Sequence, residues 1–456
     1  MMRQVGRLSW SKLILGRLSL SKLSSSMETL AVTLAVMLAV TLLVAGCEAG
    51  DSRSGNSGVT TLRFWAMGRE GEVVQELVRD FEASHPDIRV VVQQIPWSAA
   101  HEKLLTAYVG RSMPDMAQLG NTWVPEFTAL GALAPLDGWV AACPAVDPAD
   151  HFSGIWETNV IAGTLYGVPW YVDTRVIYYR TDILRQAGFD QFPRTWAGWR
   201  QAMRAVTKQG GSGRYAILLP LNEWSQPVAL ALETGSTLLK GNGTRGDFRG
   251  PEFRQAFDFY AAIFAEGWSP PVSNNEIANL YQEFERGTFA MYISGPWNLG
   301  EFRRRLPAEL QDAWSTAPLP GMTDARPGTS LAGGSSLVVF RHSENQEAAR
   351  LLMAFLLEPA QQIRFYELTG DLPAHRAAWN DPRLAADPKA AAFRAQLDHT
   401  RATPKIPEWE QIANRVWVAA EEAVRGSKTR EEALQDLDQD VDRILTKRRW
   451  LLEQEP

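Results

Sequence analysis

Tryptophan and glycine, rather than histidine or cysteine, mark the places in this chain where chemistry could sit. There are 17 tryptophans against six histidines and two cysteines. A tryptophan inside an apolar periodic run is usually core, whereas one flanked by glycine, proline or polar residues is open to a ligand. Four stretches have the second character: Trp170-Tyr171 ahead of Asp173 and Arg175, Trp297 behind Gly295-Pro296, Trp224 behind Asn222-Glu223, and Trp123 behind Gly120-Asn121-Thr122. Polar groups with similar flanks are Arg69 and Glu70, Gly333-Gly334-Ser335, and Arg376. Glycine lacks a Cβ, so Gly334 allows close backbone approach to a ligand. Flat apolar faces beside fixed polar groups are the parts of a binding cleft. Each has a plainer reading: an ion pair of Asp173 with Arg175 or Arg180, hinge packing for Trp297, a bend at the glycines, solvated caps at Arg69, Glu70 and Asn121, and helix core for Trp123.

The signatures of catalysis and of cofactors are missing. The histidines show no HExxH spacing, no GxSxG elbow occurs, and no Cys/His zinc spacing exists, so neither metal nor cofactor is expected. Gly241-Asn-Gly-Thr-Arg-Gly246 matches a dinucleotide pattern, but Phe248-Arg-Gly-Pro251 continues as loop where a helix is required. Asp436, Asp438, Asp440 and Asp442 look like a calcium loop without its glycine. Leu434, Leu437, Val441 and Ile444 instead mark one helical face, which makes the carboxylates its solvated side.

The candidate residues need elements to hold them. Thr61 to Trp65 reads as a strand, Met67 to Gly71 as a glycine-bearing turn, and Val73, Val74, Leu77, Val78 and Phe81 as a helix by their spacing. His85-Pro86 stops it, and Ile88 to Ile95 is a second strand. A helix around Lys103 to Val109, a break at Pro114-Asp115 and a strand at Met116 to Leu119 repeat the scheme. Such alternation predicts a parallel sheet flanked by helices, with ligands beyond the carboxyl ends of the strands. Residues 66–71 and 120–123 lie at such ends.

With 456 residues, 45% hydrophobic and 21% charged, the chain can bury a core large enough for two lobes. A net charge of −6 argues against a nucleic-acid partner, which needs a concentrated basic surface. The charge is uneven: residues 1–46 hold five basic groups and one acid, a net of +4, which leaves −10 on the rest. The uncharged run Leu30 to Ala45 is short of the roughly 20 residues a membrane span needs, and follows the basic segment in signal-peptide order. It ends Leu43-Val-Ala-Gly-Cys47, which resembles the bacterial lipobox. An acylated Cys47 would tether the protein to the bilayer; the alternative is an uncleaved signal anchor. Residues 47–58 then read as a flexible tether of small polar residues. Two near-copies, Gly6-Arg-Leu-Ser-Trp-Ser-Lys-Leu13 and Gly16-Arg-Leu-Ser-Leu-Ser-Lys-Leu23, lengthen the leader.

From about residue 60 to 380 the chain resembles the family 1 extracellular solute-binding proteins, the group that holds maltose-binding protein. The resemblance is carried in order by Leu62-Arg-Phe-Trp65, Pro114-Asp115, Leu165-Tyr-Gly-Val-Pro-Trp-Tyr-Val-Asp-Thr-Arg-Val-Ile-Tyr-Tyr-Arg180, Phe284 to Asn298, Pro318-Leu-Pro-Gly321, Leu331-Ala-Gly-Gly-Ser-Ser336 and Glu347 to Leu356. It implies an α/β periplasmic-binding-protein fold of two lobes, joined by crossing strands and closing on a ligand between them. The crossings fall near 173–176, 295–297 and 340–343. Residues 59–174 and 296–340 then form the first lobe, 175–295 and 341–456 the second. It further implies a lipid-anchored, extracytoplasmic, monomeric receptor that delivers a sugar to the permease of an ABC importer. Arg69, Glu70, Asn121, Trp123, Trp170, Tyr171, Asp173, Glu223, Trp224, Trp297, Gly334, Ser335 and Arg376 are its candidate ligand contacts. Trp297 would stack on a sugar ring and Asp173 would accept its hydroxyls. A polyamine or osmolyte receptor and a lipid-anchored glycoside hydrolase are the other readings. The hydrolase needs a carboxylate pair flanking the cleft, and nothing in the sequence singles one out.

Overall fold

The computed structural model describes residues 58–454. The leader, Cys47 and all but the last residue of the tether lie outside them. Among the described residues no helix is long and apolar enough to cross a membrane.

The chain is a mixed α/β protein of two lobes. It opens β1 (Thr60–Met67), α1 (Gly68–Ser84), β2 (Ile88–Ile95), α2 (Trp97–Val109), β3 (Met116–Gly120) and β4 (Val168–Asp173). It continues β5 (Val176–Arg180), β6 (Tyr215–Leu218), α3 (Pro251–Ala265), β7 (Phe289–Ser294), α4 (Trp297–Arg305), β8 (Trp314–Ala317) and β9 (Gly333–Val339). It closes with α5 (Gln346–Leu357), α6 (Pro359–Thr369), β10 (Leu372–Pro373), α7 (Trp409–Arg425) and α8 (Arg430–Ile444). One sheet runs β10-β4-β9-β3-β1-β2 and the other β8-β5-β7-β6.

The opening units behave as their patterning predicts. The β1–α1–β2 unit buries Leu62 and Phe64 from the strand against Val74, Leu77 and Phe81 from the helix. β1 pairs parallel with both β2 and β3. The sheet as a whole is mixed, not parallel, because β9 runs antiparallel between β3 and β4, and β10 antiparallel beside β4. A late strand inserted into an early sheet carries no signal in local periodicity.

The lobe limits drawn from the sequence require correction. Two residues, Thr174 and Arg175, separate β4 in the first sheet from β5 in the second. After β7 the chain forms α4 and returns to the second sheet as β8, so residues 314–317 belong there and not with 296–340 in the first lobe. No crossing occurs at 340–343. α5 is amphipathic, and its apolar face of Ala349, Leu352, Met353 and Leu356 joins the first lobe's core with Phe81 and Val339. α6 packs on α1, and β10 pairs with β4. Residues 341–373 thus lie with the first lobe. Between the lobes sits a shared cluster to which Val172 of β4, Tyr178 of β5, Phe302 of α4 and Trp314 of β8 all contribute.

The acidic face of α8 is more than solvated. Leu434, Leu437 and Val441 are buried, as the spacing predicts. Asp438 also accepts from the Phe248 and Arg249 backbone N–H groups, and Asp442 from that of Gly246, so these acids clamp the 239–250 loop. That loop is a two-strand hairpin, Leu239–Lys240 with Arg245–Gly246, and the expectation of continued loop through Pro251 is corrected: α3 opens at Pro251, but five residues past Gly246 and not from the glycines.

Candidate functional site

Between the two sheets lies a cleft of about 620 Å³, within the roughly 300–1,000 Å³ of small-ligand sites. The first lobe supplies its wall from the carboxyl ends of its strands: Arg69 and Glu70 after β1, Trp97 after β2, Asn121 and Trp123 after β3, then Tyr171 and Asp173 at the end of β4. Gly334 and Ser335 enter from the start of β9, and Asp371 from the turn before β10. The rest of the lining is Trp224, Tyr281, Trp297, Glu301, Arg305 and Glu410. Six aromatic side chains face one volume. Trp97 meets Trp123 edge-on at 5.6 Å between ring centroids, so the two form an aromatic corner.

Glu70 anchors a buried polar network. It is 7% exposed, and its Oε1 accepts from Tyr171 Oη at 2.7 Å, Trp97 Nε1 at 3.2 Å and Gln118 Nε2 at 3.3 Å. Ser335 Oγ donates to Tyr171 Oη at 3.0 Å, and the Met67 N–H donates to Gln118 Oε1 at 2.8 Å. Burial raises the Glu70 pKa, against the lowering influence of these donors. Asp371 is pushed well above the usual carboxylate range by burial and by the nearby Glu70 and Asp173 charges.

Backbone geometry sets the floor of the cleft. Gly334 sits opposite Val172 with φ of +139°, and a Cβ there would stand 2.3 Å from the Tyr171 carbonyl oxygen. Only glycine lets β9 lie this close to β4. Gly295 is needed for a related reason: a Cβ would fall 2.0 Å from the Trp297 ring and 2.6 Å from Asp173 Oδ1. Tyr178 Oη donates to the Gly295 carbonyl at 2.7 Å, fixing the turn that delivers Trp297. Asn121 Nδ2 donates to Thr158 Oγ1 at 2.6 Å, while its buried Oδ1 has no partner among the described residues.

Ten of the thirteen residues singled out in the sequence line this cleft: Arg69, Glu70, Asn121, Trp123, Tyr171, Asp173, Trp224, Trp297, Gly334 and Ser335. Three do not, and each is corrected. Trp170 is 1% exposed and stacks on Phe365 of α6 at 4.3 Å, on the side of the sheet covered by helices. Glu223 accepts from Asn274 Nδ2 at 2.8 Å and does not line the cleft, although its neighbour Trp224 does. Arg376 donates through Nε to the His151 carbonyl at 3.0 Å and lies over the Phe152 ring, bracing the chain after β10. Asp173 carries both of its readings, since it lines the cleft and is paired with Arg175.

The sequence reading missed Trp97, Tyr281, Glu301, Arg305, Asp371 and Glu410. Trp97 was within reach, because it opens a helix at the end of β2 just as Arg69 does after β1. Tyr281 and Glu410 lie on helices that local pattern cannot assign to either lobe.

The chain is similar to known proteins over most of its length. The solved structure of the sugar-binding protein MalE from the phytopathogen Xanthomonas citri is 50% identical, with a TM-score of 0.82, over 87% of this chain and 100% of that one. An ABC transporter solute-binding protein of Thermotoga lettingae, bound with α-D-tagatose, is 25% identical with a TM-score of 0.74, over 85% of this chain and 100% of that one. The diacetylchitobiose-binding protein DasA of Streptomyces coelicolor is 26% identical over 78% of this chain and 82% of its own length. Residues 66–363, more than half of the chain, match the bacterial extracellular solute-binding protein family, and they include the second sheet, most of the first and most of the cleft wall. The chain belongs to the bacterial extracellular solute-binding proteins.

Proposed function

We propose that this chain is the substrate-binding subunit of an ABC importer and that its solute is a sugar, an oligosaccharide in keeping with a cleft of about 620 Å³. The observation that carries the reading is six aromatic side chains arrayed around one polar network. A pyranose offers a C–H face to the rings and hydroxyls to groups such as Glu70, Tyr171 and Ser335. The sugars in the names of the MalE, tagatose-bound and diacetylchitobiose-binding relatives support it. The receptor works as a monomer, held at the outer face of the membrane by acylated Cys47, and closes its lobes before meeting the permease. It performs no chemistry on the solute.

One observation favours a second reading. Arg69, Arg175 and Arg305 each have an acid partner in Glu72, Asp173 and Glu301. Glu70, Asp371 and Glu410 line the same cleft with no lysine or arginine partner among the described residues. Three such carboxyls would suit a polyamine, but the uncharged donors on Glu70 and the number of rings favour hydroxyls.

A thermal-shift panel separates the two. Maltose, maltotriose, trehalose, cellobiose and chitobiose stand against spermidine and glycine betaine. A saccharide at 100 times its Kd is expected to stabilise the protein by about 2.7 kcal/mol, with no shift from spermidine or betaine. A shift from those two alone would overturn the sugar assignment.

A further inference from the structure

Trp297 is the most exposed of the tryptophans along the crossing, at 38%, and it is held by an arrangement that the stacking role does not by itself require. The guanidinium carbon of Arg175 lies 4.7 Å from the centroid of the Trp297 ring. The same guanidinium donates through Nη1 to both carboxylate oxygens of Asp173 at 2.6 Å. The Arg175 side chain is 17% exposed and that of Asp173 19%, so neither end of the pair is freely solvated. The backbone beneath is also pinned, since the Arg175 N–H donates to Ser330 Oγ at 3.0 Å and Ser330 Oγ donates to the Arg175 carbonyl at 2.9 Å. Asp173 ends a strand of the first sheet, Arg175 lies in the two-residue crossing, and Trp297 opens the helix after a strand of the second sheet. Three segments meet in one stack.

A guanidinium over an indole does two things. It draws on the ring quadrupole, and it occupies one face of the ring, leaving the other face and the edge to a solute. Arginine suits this better than lysine, because its planar fork can lie flat on the ring while its N–H groups reach a carboxylate. Gly295 completes the device, since any Cβ there would stand 2.0 Å from the ring.

We propose that Arg175 is a positioning residue that backs one face of Trp297 and is itself aimed by Asp173, so that the stack decides which face of the indole receives a solute ring. Asp173 then acts chiefly through Arg175, and its free lone pairs alone remain for the solute. The inference goes further than the sugar reading and rests on it only for the last arm of its test.

The first arm needs no solute. In ¹H–¹⁵N spectra of the ligand-free protein, the Trp297 indole N–H, assigned from Trp297→Phe, is expected to shift and broaden in both Arg175→Ala and Arg175→Lys. Gly295→Ala should disturb the same resonance. An indole resonance that stays in place in Arg175→Ala overturns the proposal, whatever the solute. The second arm is a double-mutant cycle titrated with maltotriose. Arg175→Ala is expected to weaken binding about tenfold in the wild-type background and by less than twofold in a Trp297→Ala background. Equal losses in both backgrounds would show that Arg175 acts independently of the ring, and the proposal falls. If wild-type protein binds none of the panel sugars, the sugar reading fails and the indole resonance alone decides the positioning role.

Discussion

Replacing Trp170 by alanine is expected to cost the fold about 3–5 kcal/mol, a loss felt before any solute is added. Trp170 is 1% exposed, stacked on Phe365 at 4.3 Å, with Phe64 of β1 at 6.1 Å on the same face of the sheet. Its removal leaves a large cavity where the six-stranded sheet meets α6, and a domain's whole margin is only about 5–15 kcal/mol. Urea unfolding of wild type and Trp170→Ala measures it directly: the midpoint should fall sharply with little change in slope. A midpoint close to wild type, accompanied by lost solute affinity, would return Trp170 to the cleft and contradict the packing described above.

Trp297→Ala should do the opposite. Its indole is 38% exposed and lines the cleft, so truncation leaves stability within about 1 kcal/mol while solute binding weakens by about 2 kcal/mol or more, roughly thirtyfold. Calorimetric titration with the saccharide that gives the largest thermal shift reads the affinity, and urea unfolding reads the fold. Affinity within twofold of wild type would remove Trp297 from the site.

The contrast between these tryptophans shows where local sequence is informative. Both follow proline and both sit next to a crossing between lobes. Trp170 and Tyr171 are consecutive in a strand, so they point to opposite faces of the sheet. Tyr171 reaches the cleft with its hydroxyl, and Trp170 enters the layer under α6. Because helices and cleft cover both faces, every residue from Val168 to Val172 is buried, and no polar alternation reveals which face is which. Trp297 opens a helix instead, where the glycine and proline before it signal a change of direction.

The same distinction applies to the lobes. The strand–turn–helix units up to β3 were legible, and with them the residues at the strand ends: Arg69, Glu70, Asn121 and Trp123. The amphipathic pattern of α5 identifies a helix with one apolar face, yet says nothing of which sheet that face meets. Residues 341–373 were misplaced for that reason, and Asp371, in the turn that leads into β10, was overlooked with them. Glu223 and Trp224 illustrate the remaining limit. They are adjacent, but one is drawn off by Asn274 across a loop while the other lines the cleft.

The most direct measurement of the central claim is a crystal structure of the protein with the best saccharide of the panel at saturation. The sugar should lie between the two sheets, with a ring on the free face of Trp297, hydroxyls within hydrogen-bonding distance of Glu70 or Tyr171, and the lobes rotated toward each other about the crossing at 173–176. A sugar bound outside this cleft, or a cleft that holds it without contact to Trp297 and with the lobes unmoved, would contradict the account.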